Sequence, residues 1–222
     1  DQICRVELHD PGVDEILDAS VQFEVLAKGF EIAEGPVWVP SMKTLLFSDV
    51  KGNTIHQWSQ EKGLSVFLSP GGHTGAVPFF EGGVLGSNGL ALDPAGDLII
   101  CQHGDRRLAK LSFDNINQEG LSTLVATYEG KRFNSPNDLT VLPNGDIYFT
   151  DPPYGHCDIA NSVPGEGMVF VDEKREIPYC GIYRYEAATG KIFLVNDEMD
   201  LPNGIVLSPD QKWIYVGSSD MQ

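Results

Sequence analysis

From Phe23 onward, short apolar runs rich in Val, Ile, Leu, Phe and Tyr alternate with turn-forming residues, and no helix of useful length is predicted after residue 22. Before that point, residues 1–22 form a polar arm in which Val13, Ile16 and Leu17 predict at most a helical turn. Pro94-Ala-Gly-Asp97 and Pro143-Asn-Gly-Asp146 are the clearest hairpin turns, because proline presets one φ angle and glycine supplies a positive one. The apolar runs predict strands at Leu45–Phe47, Ile55–Trp58, Ser65–Leu68, Leu98–Cys101, Arg107–Phe113 and Leu121–Ala126. Further strands are expected at Ile147–Phe149, Gly181–Tyr185, Lys191–Val195 and Trp213–Val216.

These runs repeat. Glu34-Gly-Pro-Val-Trp-Val-Pro40, Asn88-Gly-Leu-Ala-Leu-Asp-Pro94, Asn137-Asp-Leu-Thr-Val-Leu-Pro143 and Asn203-Gly-Ile-Val-Leu-Ser-Pro209 share a polar residue six positions before a proline, an apolar run between them, and a second strand after the turn. The intervals of 54, 49 and 66 residues suit a four-stranded propeller blade with variable loops. Residues 1–22 are therefore expected to be an arm and residues 23–222 one all-β domain of antiparallel meanders. The third unit carries an insertion, roughly Tyr154 to Tyr179, of the kind that walls or covers a site. The chain stops after the second strand of the fourth unit, which would leave open sheet edges, so further blades are expected beyond Gln222.

Composition narrows the partners. Lys plus Arg total 15 against 32 acids, a net charge of −17, which disfavours nucleic acid, and no run is long and apolar enough to span a membrane. The chain begins at Asp1, so its compartment stays open: secreted or periplasmic if a signal peptide was removed, cytoplasmic otherwise. Cys101, within Leu98-Ile-Ile-Cys, reads as a small buried thiol, whereas Cys157 and Cys180 bracket the insertion and could be cross-linked in an oxidising compartment.

The repeat places Glu34, Asn88, Asn137 and Asn203 at one equivalent position, the start of the strand nearest a propeller's central channel. One carboxylate and several amide oxygens form a hard, oxygen-only set that suits calcium better than zinc. A turn-forming role alone would not require Glu34 there, followed by Gly-Pro and a Trp38 expected to be buried. The ends of the second strands, Asp49, His103, Asp151 and Asp220, are expected at the same mouth. His103, ahead of Gly104-Asp-Arg-Arg107, is a candidate for substrate binding or proton transfer. His9, His56, His73 and His156 receive no role. No Gly-x-Ser-x-Gly elbow, glycine-rich phosphate loop or His-Glu-x-x-His occurs, so covalent serine catalysis is unsupported.

Glu34-Gly-Pro-Val-Trp, Ser87-Asn-Gly-Leu-Ala-Leu-Asp-Pro, Cys101-Gln-His-Gly-Asp-Arg-Arg, Asn134-Ser-Pro-Asn-Asp-Leu, Ile147-Tyr-Phe-Thr-Asp-Pro-Pro-Tyr-Gly155 and Leu201-Pro-Asn-Gly-Ile-Val-Leu-Ser-Pro-Asp210 together resemble the SMP-30/gluconolactonase family. The resemblance runs from about residue 23 to the end. It implies a six-bladed β-propeller of four-stranded antiparallel blades, roughly the first four represented here, with one divalent metal in the channel: calcium, or Zn2+, Mg2+ or Mn2+. It makes Glu34, Asn137 and Asn203 metal ligands and places a fourth ligand, an aspartate that is also a candidate general base, in the following blade. Asn88 becomes a channel-lining or substrate contact, and Arg132 matches a substrate-contacting arginine, though Ser135-Pro136 alters its spacing. Tyr154, where the insertion begins, joins Asn88, His103 and Arg132 as a candidate substrate residue. The implied activity is metal-assisted opening of a sugar lactone. An arylesterase or phosphotriesterase on the same metal, or a sugar-binding propeller with structural calcium, remain as alternatives.

Overall fold

A computed structural model describes residues 9–15, 17–18, 20–21, 23–158, 161–162 and 168–219. Three four-stranded antiparallel meanders follow one another along the chain. The first comprises β1 (Ala33–Val39), β2 (Thr44–Asp49), β3 (Thr54–Ser59) and β4 (Gly63–Leu68). The second comprises β5 (Ser87–Leu92), β6 (Leu98–Gln102), β7 (Arg107–Leu111) and β8 (Leu121–Val125). A short hairpin, β9 (Thr127–Tyr128) with β10 (Lys131–Arg132), leads to the third: β11 (Leu139–Val141), β12 (Ile147–Asp151), β13 (Gly181–Glu186) and β14 (Lys191–Asn196). A last hairpin pairs β15 (Pro202–Leu207) with β16 (Ile214–Ser218). The first strands β1, β5, β11 and β15 lie side by side in that order, so successive sheets are packed like blades about one edge.

The Pro-x-Gly-Asp turns form as the sequence predicts. Gly96 and Gly145 take φ of 89° and 88°, and each donates its N–H to the residue opening its turn, Asp93 and Leu142, at 2.9 Å. β6 is buried at all five residues because its two faces serve different sheets. Leu98 and Ile100 pack with Val39, Leu46 and Ile55 of the first sheet, while Ile99 and Cys101 pack with Phe149 and Tyr183 of the third. A strand between two sheets needs apolar side chains at both parities, which explains a continuous Leu-Ile-Ile-Cys rather than an alternating pattern. Phe133, Phe149 and Tyr183 form an aromatic cluster with ring centroids 5.1–5.5 Å apart.

Several expectations need correction. The first strand begins at Ala33, not near Phe23; Phe23, Val25 and Leu26 precede it in extended, exposed chain without a pairing partner strand among the described residues. Trp38 is 51% exposed rather than buried, because it faces outward from β1 opposite Leu45. The hairpin β9–β10 carries no turn signature beyond Glu129-Gly130, both at positive φ, and was not anticipated. Cys157 and Cys180 are buried free thiols: Cys157 Sγ lies 3.7 Å from Ser162 Oγ and Cys180 Sγ accepts from Arg175 at 3.6 Å, so they do not pair with one another. The insertion is anchored more firmly than a decorative loop, with Tyr154, Gly155, His156, Cys157 and Ile177 buried and Cys157 bridged to Phe170. In the arm, Pro11–Glu15 forms a 3-10 turn, and Ile16 lies outside the described residues.

Candidate active site

A β-bulge places the polar residue of the first, second and fourth repeats. Between Glu34 and Val37, between Ser87 and Leu90, and between Pro202 and Ile205, the first strand uses three steps where its partner uses two. An extra residue re-aims the side chain beside it. Gly35 and Gly89 sit in this bulge, and Gly35 adopts φ of 56°, which a side chain would disfavour. Neighbouring sheets are stitched at the same level: Gly89 N donates to Asn137 O at 2.8 Å, Ser48 Oγ to Asn88 O at 2.8 Å, and Thr150 Oγ1 to Asn203 O at 2.7 Å.

The four polar residues consequently converge on one cavity of about 180 Å³. Their amides form a directional chain. Asn88 Nδ2 donates to Asn137 Oδ1, Asn137 Nδ2 to Asn203 Oδ1, and Asn203 Nδ2 to Ser219 Oγ, each at 2.8 Å. Tyr154 OH lies 3.4 Å from Asn203 Nδ2, and Glu34 stands exposed at the rim. His103 is buried, with Nδ1 3.2 Å from Val84 O and Nε2 3.2 Å from Asn137 Oδ1. Burial lowers its pKa to about 4, so the ring is neutral at pH 7 and its single N–H can serve one of those two oxygens. Ile32, Val50, Val84 and Met168 supply the apolar part of the lining.

This donor set, residue by residue, is what a homology would have to explain. The SMP-30/Gluconolactonase/LRE-like region model matches residues 32–222. The chain belongs to the SMP-30/gluconolactonase family. It is 37% identical over 218 residues to the gluconolactonase of Zymomonas mobilis, which covers 98% of this chain and 57% of that protein. A solved gluconolactonase from Xanthomonas campestris superposes with a TM-score of 0.68 at 30% identity, covering 87% of this chain and 57% of its own. The calcium-binding protein regucalcin from Agrobacterium tumefaciens shares the fold, with a TM-score of 0.58 at 17% identity over 88% and 53% of the two chains. This chain thus spans a little over half the length of each of these relatives.

Within this family member, Glu34, Asn88, His103, Asn137, Tyr154 and Asn203 are brought together as the sequence placed them. Arg132 is not. It lines a neighbouring cavity with Arg106, Lys174 and His156, because the β9–β10 hairpin ends short of the mouth. Asp49 and Asp151 also fail to reach it. Counting four residues on from Leu46, Ile99, Tyr148 and Tyr215, the partners of Val37, Ala91, Thr140 and Val206, gives Val50, His103, Pro152 and Ser219 as the mouth position. Asp49 and Asp151 are one residue earlier and so point to the opposite face. There Asp49 accepts from Ile32 N and Gly52 N, and Asp151 from Asn134 N and Ser135 N. Asp220 lies outside the described residues. Ser219 was missed, and the pairing register that equates it with His103 is the signal that finds it.

Burial drives the Asp151 carboxyl up to about 7, against the two backbone amides and the nearby Arg106 and Arg175, which pull it down. A carboxyl raised in the folded state stabilises fully only below its unfolded value, about 3.9, and loses that contribution as pH rises through about 7. Unfolding free energies from urea titration should therefore fall between about pH 4 and 7 by up to about 1.4 kcal/mol per pH unit relative to Asp151→Asn. Parallel pH profiles for the two proteins would refute this assignment.

Proposed function

We propose that this family member opens a sugar lactone at the mouth formed by Glu34, Asn88, His103, Asn137 and Asn203. The site sits in a six-bladed propeller of which this chain carries three sheets and the inner hairpin of a fourth. A divalent cation would be held by the Glu34 carboxylate and the amide oxygens of Asn137 and Asn203. The observation that carries the reading is the convergence of four repeat-equivalent polar residues on one cavity. The donor chemistry agrees with such a cation: the cavity offers the Glu34 carboxylate and the amide groups of Asn137 and Asn203. That set favours calcium, admits Mg2+ or Mn2+, and suits Zn2+ least.

When bound, the cation supplies Lewis-acid polarisation of the lactone carbonyl. The chain's own residues do the rest. Asn88 offers its second Nδ2 hydrogen to a ring hydroxyl, while Tyr154 and Ser219 hold Asn203 in place by taking both of its N–H donors. His103 fixes Asn137 from below, while Ile32, Val50, Val84 and Met168 limit water at the reacting face. With a pKa near 4, His103 is a weak proton acceptor at neutral pH, so the activating carboxylate is assigned to the following blade of the intact protein.

A panel of aldonolactones, aryl esters and phosphotriesters, assayed with chelator and after calcium is restored, tests the proposal. Aldonolactone turnover should disappear with chelator and return with calcium. The apolar lining favours, as second reading, an aryl ester, which would then be the fastest substrate in the panel. Calcium binding with no turnover of any member would mark a binding propeller instead.

A further inference from the structure

Beside the mouth lies a second cavity of about 350 Å³, and His103 lines both. Its chemistry is opposite to that of the chain as a whole. Arg106, Arg132 and Lys174 face a single carboxylate, Glu176, inside a protein of net charge −17. Glu176 Oε1 lies 3.3 Å from Arg106 and 4.0 Å from Arg132, while Lys174 forms no ion pair among the described residues. Arg106 is held rigidly: it takes φ of 56° and its Nε donates to Phe133 O at 2.6 Å.

The second observation is His156. It is 4% exposed, and neither ring nitrogen has a hydrogen-bond partner among the described residues. Its backbone is fixed on both sides, donating to Pro153 O at 2.8 Å and accepting from Val171 N at 2.9 Å, and its ring edge packs on Phe80 with centroids 5.4 Å apart. Burial and the nearby arginines depress its pKa to about 4, so a neutral imidazole with one unpartnered N–H lies within the cavity's wall. A buried polar group left unpaired is destabilising, a penalty that a ligand accepting its N–H would remove. Phe79, 69% exposed, and Phe80 form an apolar wall opposite the cations.

We propose that this cavity is an oxyanion subsite, and that the lactone taken at the mouth carries a carboxylate or phosphate on a substituent reaching past His103. The inference rests on the lactonase reading for its substrate class, but the subsite stands on its own residues. Arg132 would clamp the anion through two N–H groups, Lys174 would add charge, and the His156 N–H would complete the shell. Glu176 stays paired with the arginines and leaves the cavity with an excess of two positive charges.

Inorganic phosphate and acetate serve as separate probes, titrated into the intact protein by calorimetry while the ring nitrogens of His156 are followed by NMR. At least one ion should bind saturably at one site, move the His156 resonances, and lose about tenfold in affinity, ~1.4 kcal/mol, in Lys174→Gln and in Arg132→Gln. Lys174 is exposed and the Arg132 side chain is 43% exposed, with neither in the apolar core, so the variants should fold. Phosphate alone binding assigns a phosphorylated lactone, acetate alone an acid-bearing one. Absence of saturable binding by either ion, static His156 resonances, or affinities unchanged in both variants would each overturn the subsite. Since no lactone is turned over, Asn137→Ala should keep this binding even as it loses hydrolysis, which separates failure of the subsite from failure of the lactonase reading.

Discussion

Replacing Asn137 by alanine in the intact protein should lower aldonolactone hydrolysis by about 10²–10³-fold, the range seen when one preorganised polar group is removed from a reacting centre. Asn137 is the hub of the mouth: its oxygen receives Asn88 and faces His103, and its nitrogen donates to Asn203. Truncation leaves Asn88 Nδ2 and Asn203 Oδ1 without partners and removes one proposed ligand oxygen. Calcium affinity should drop together with the rate. Alanine at Ser219 removes only the end of the chain of amides and should cost far less. Steady-state rates and calorimetric calcium titration on the folded variant decide the matter, and an unchanged rate with unchanged calcium affinity sinks the proposed function.

The second large effect is expected from Gly35→Ala. A Cβ at this position would collide with the carbonyl oxygen of Asn88 and with Gly89 Cα, both backbone atoms of the adjoining sheet. The φ of 56° adds about 1–2 kcal/mol for any non-glycine residue. Backbone cannot rotate away as a flexible side chain can, so β1 and β5 must separate, and a loss of about 3 kcal/mol or more in unfolding free energy should follow. Because Glu34 and Asn88 flank the collision, hydrolysis should fall even below the denaturation midpoint. Gly96→Ala is the control: its φ is also positive, at 89°, yet nothing lies within 4 Å of the added methyl. Equal destabilisation by the two substitutions would mean that the close approach of the two sheets has no energetic weight.

The repeat was legible because it is written in local chemistry. Proline opens each unit's first hairpin, with glycine completing two of the four turns, and apolar runs mark most strands within a residue or two, as at Lys191–Asn196 and Gly181–Glu186. Convergence of Glu34, Asn88, Asn137 and Asn203 followed from equivalence alone, since units stacked in one sense bring equivalent positions together. The strand ends were read less well. Aligning Asp49 and Asp151 with His103 overlooks register: Val37 pairs with Leu46, nine residues on, whereas Ala91 pairs with Ile99, eight on, and Asp151 follows Asn137 by 14 residues where His103 follows Asn88 by 15; one residue of register exchanges the faces of a strand. Trp38 was misjudged for a related reason: an aromatic residue on a first strand is buried only where another sheet covers that face, and none among the described residues does.

Sequence by itself determined the all-β class, the meander order, the repeat and the polar residue that opens each unit, because these depend on spacing and on the conformational preferences of single residues. Only the tertiary structure decided that Ser219 stands at the mouth, that Arg132 belongs to a second cavity, and that the buried ring of His156 has no hydrogen-bond partner among the described residues. Those outcomes depend on which sheet face packs against which, and on where an insertion settles. Such distances between residues far apart in the chain leave no periodic trace in it.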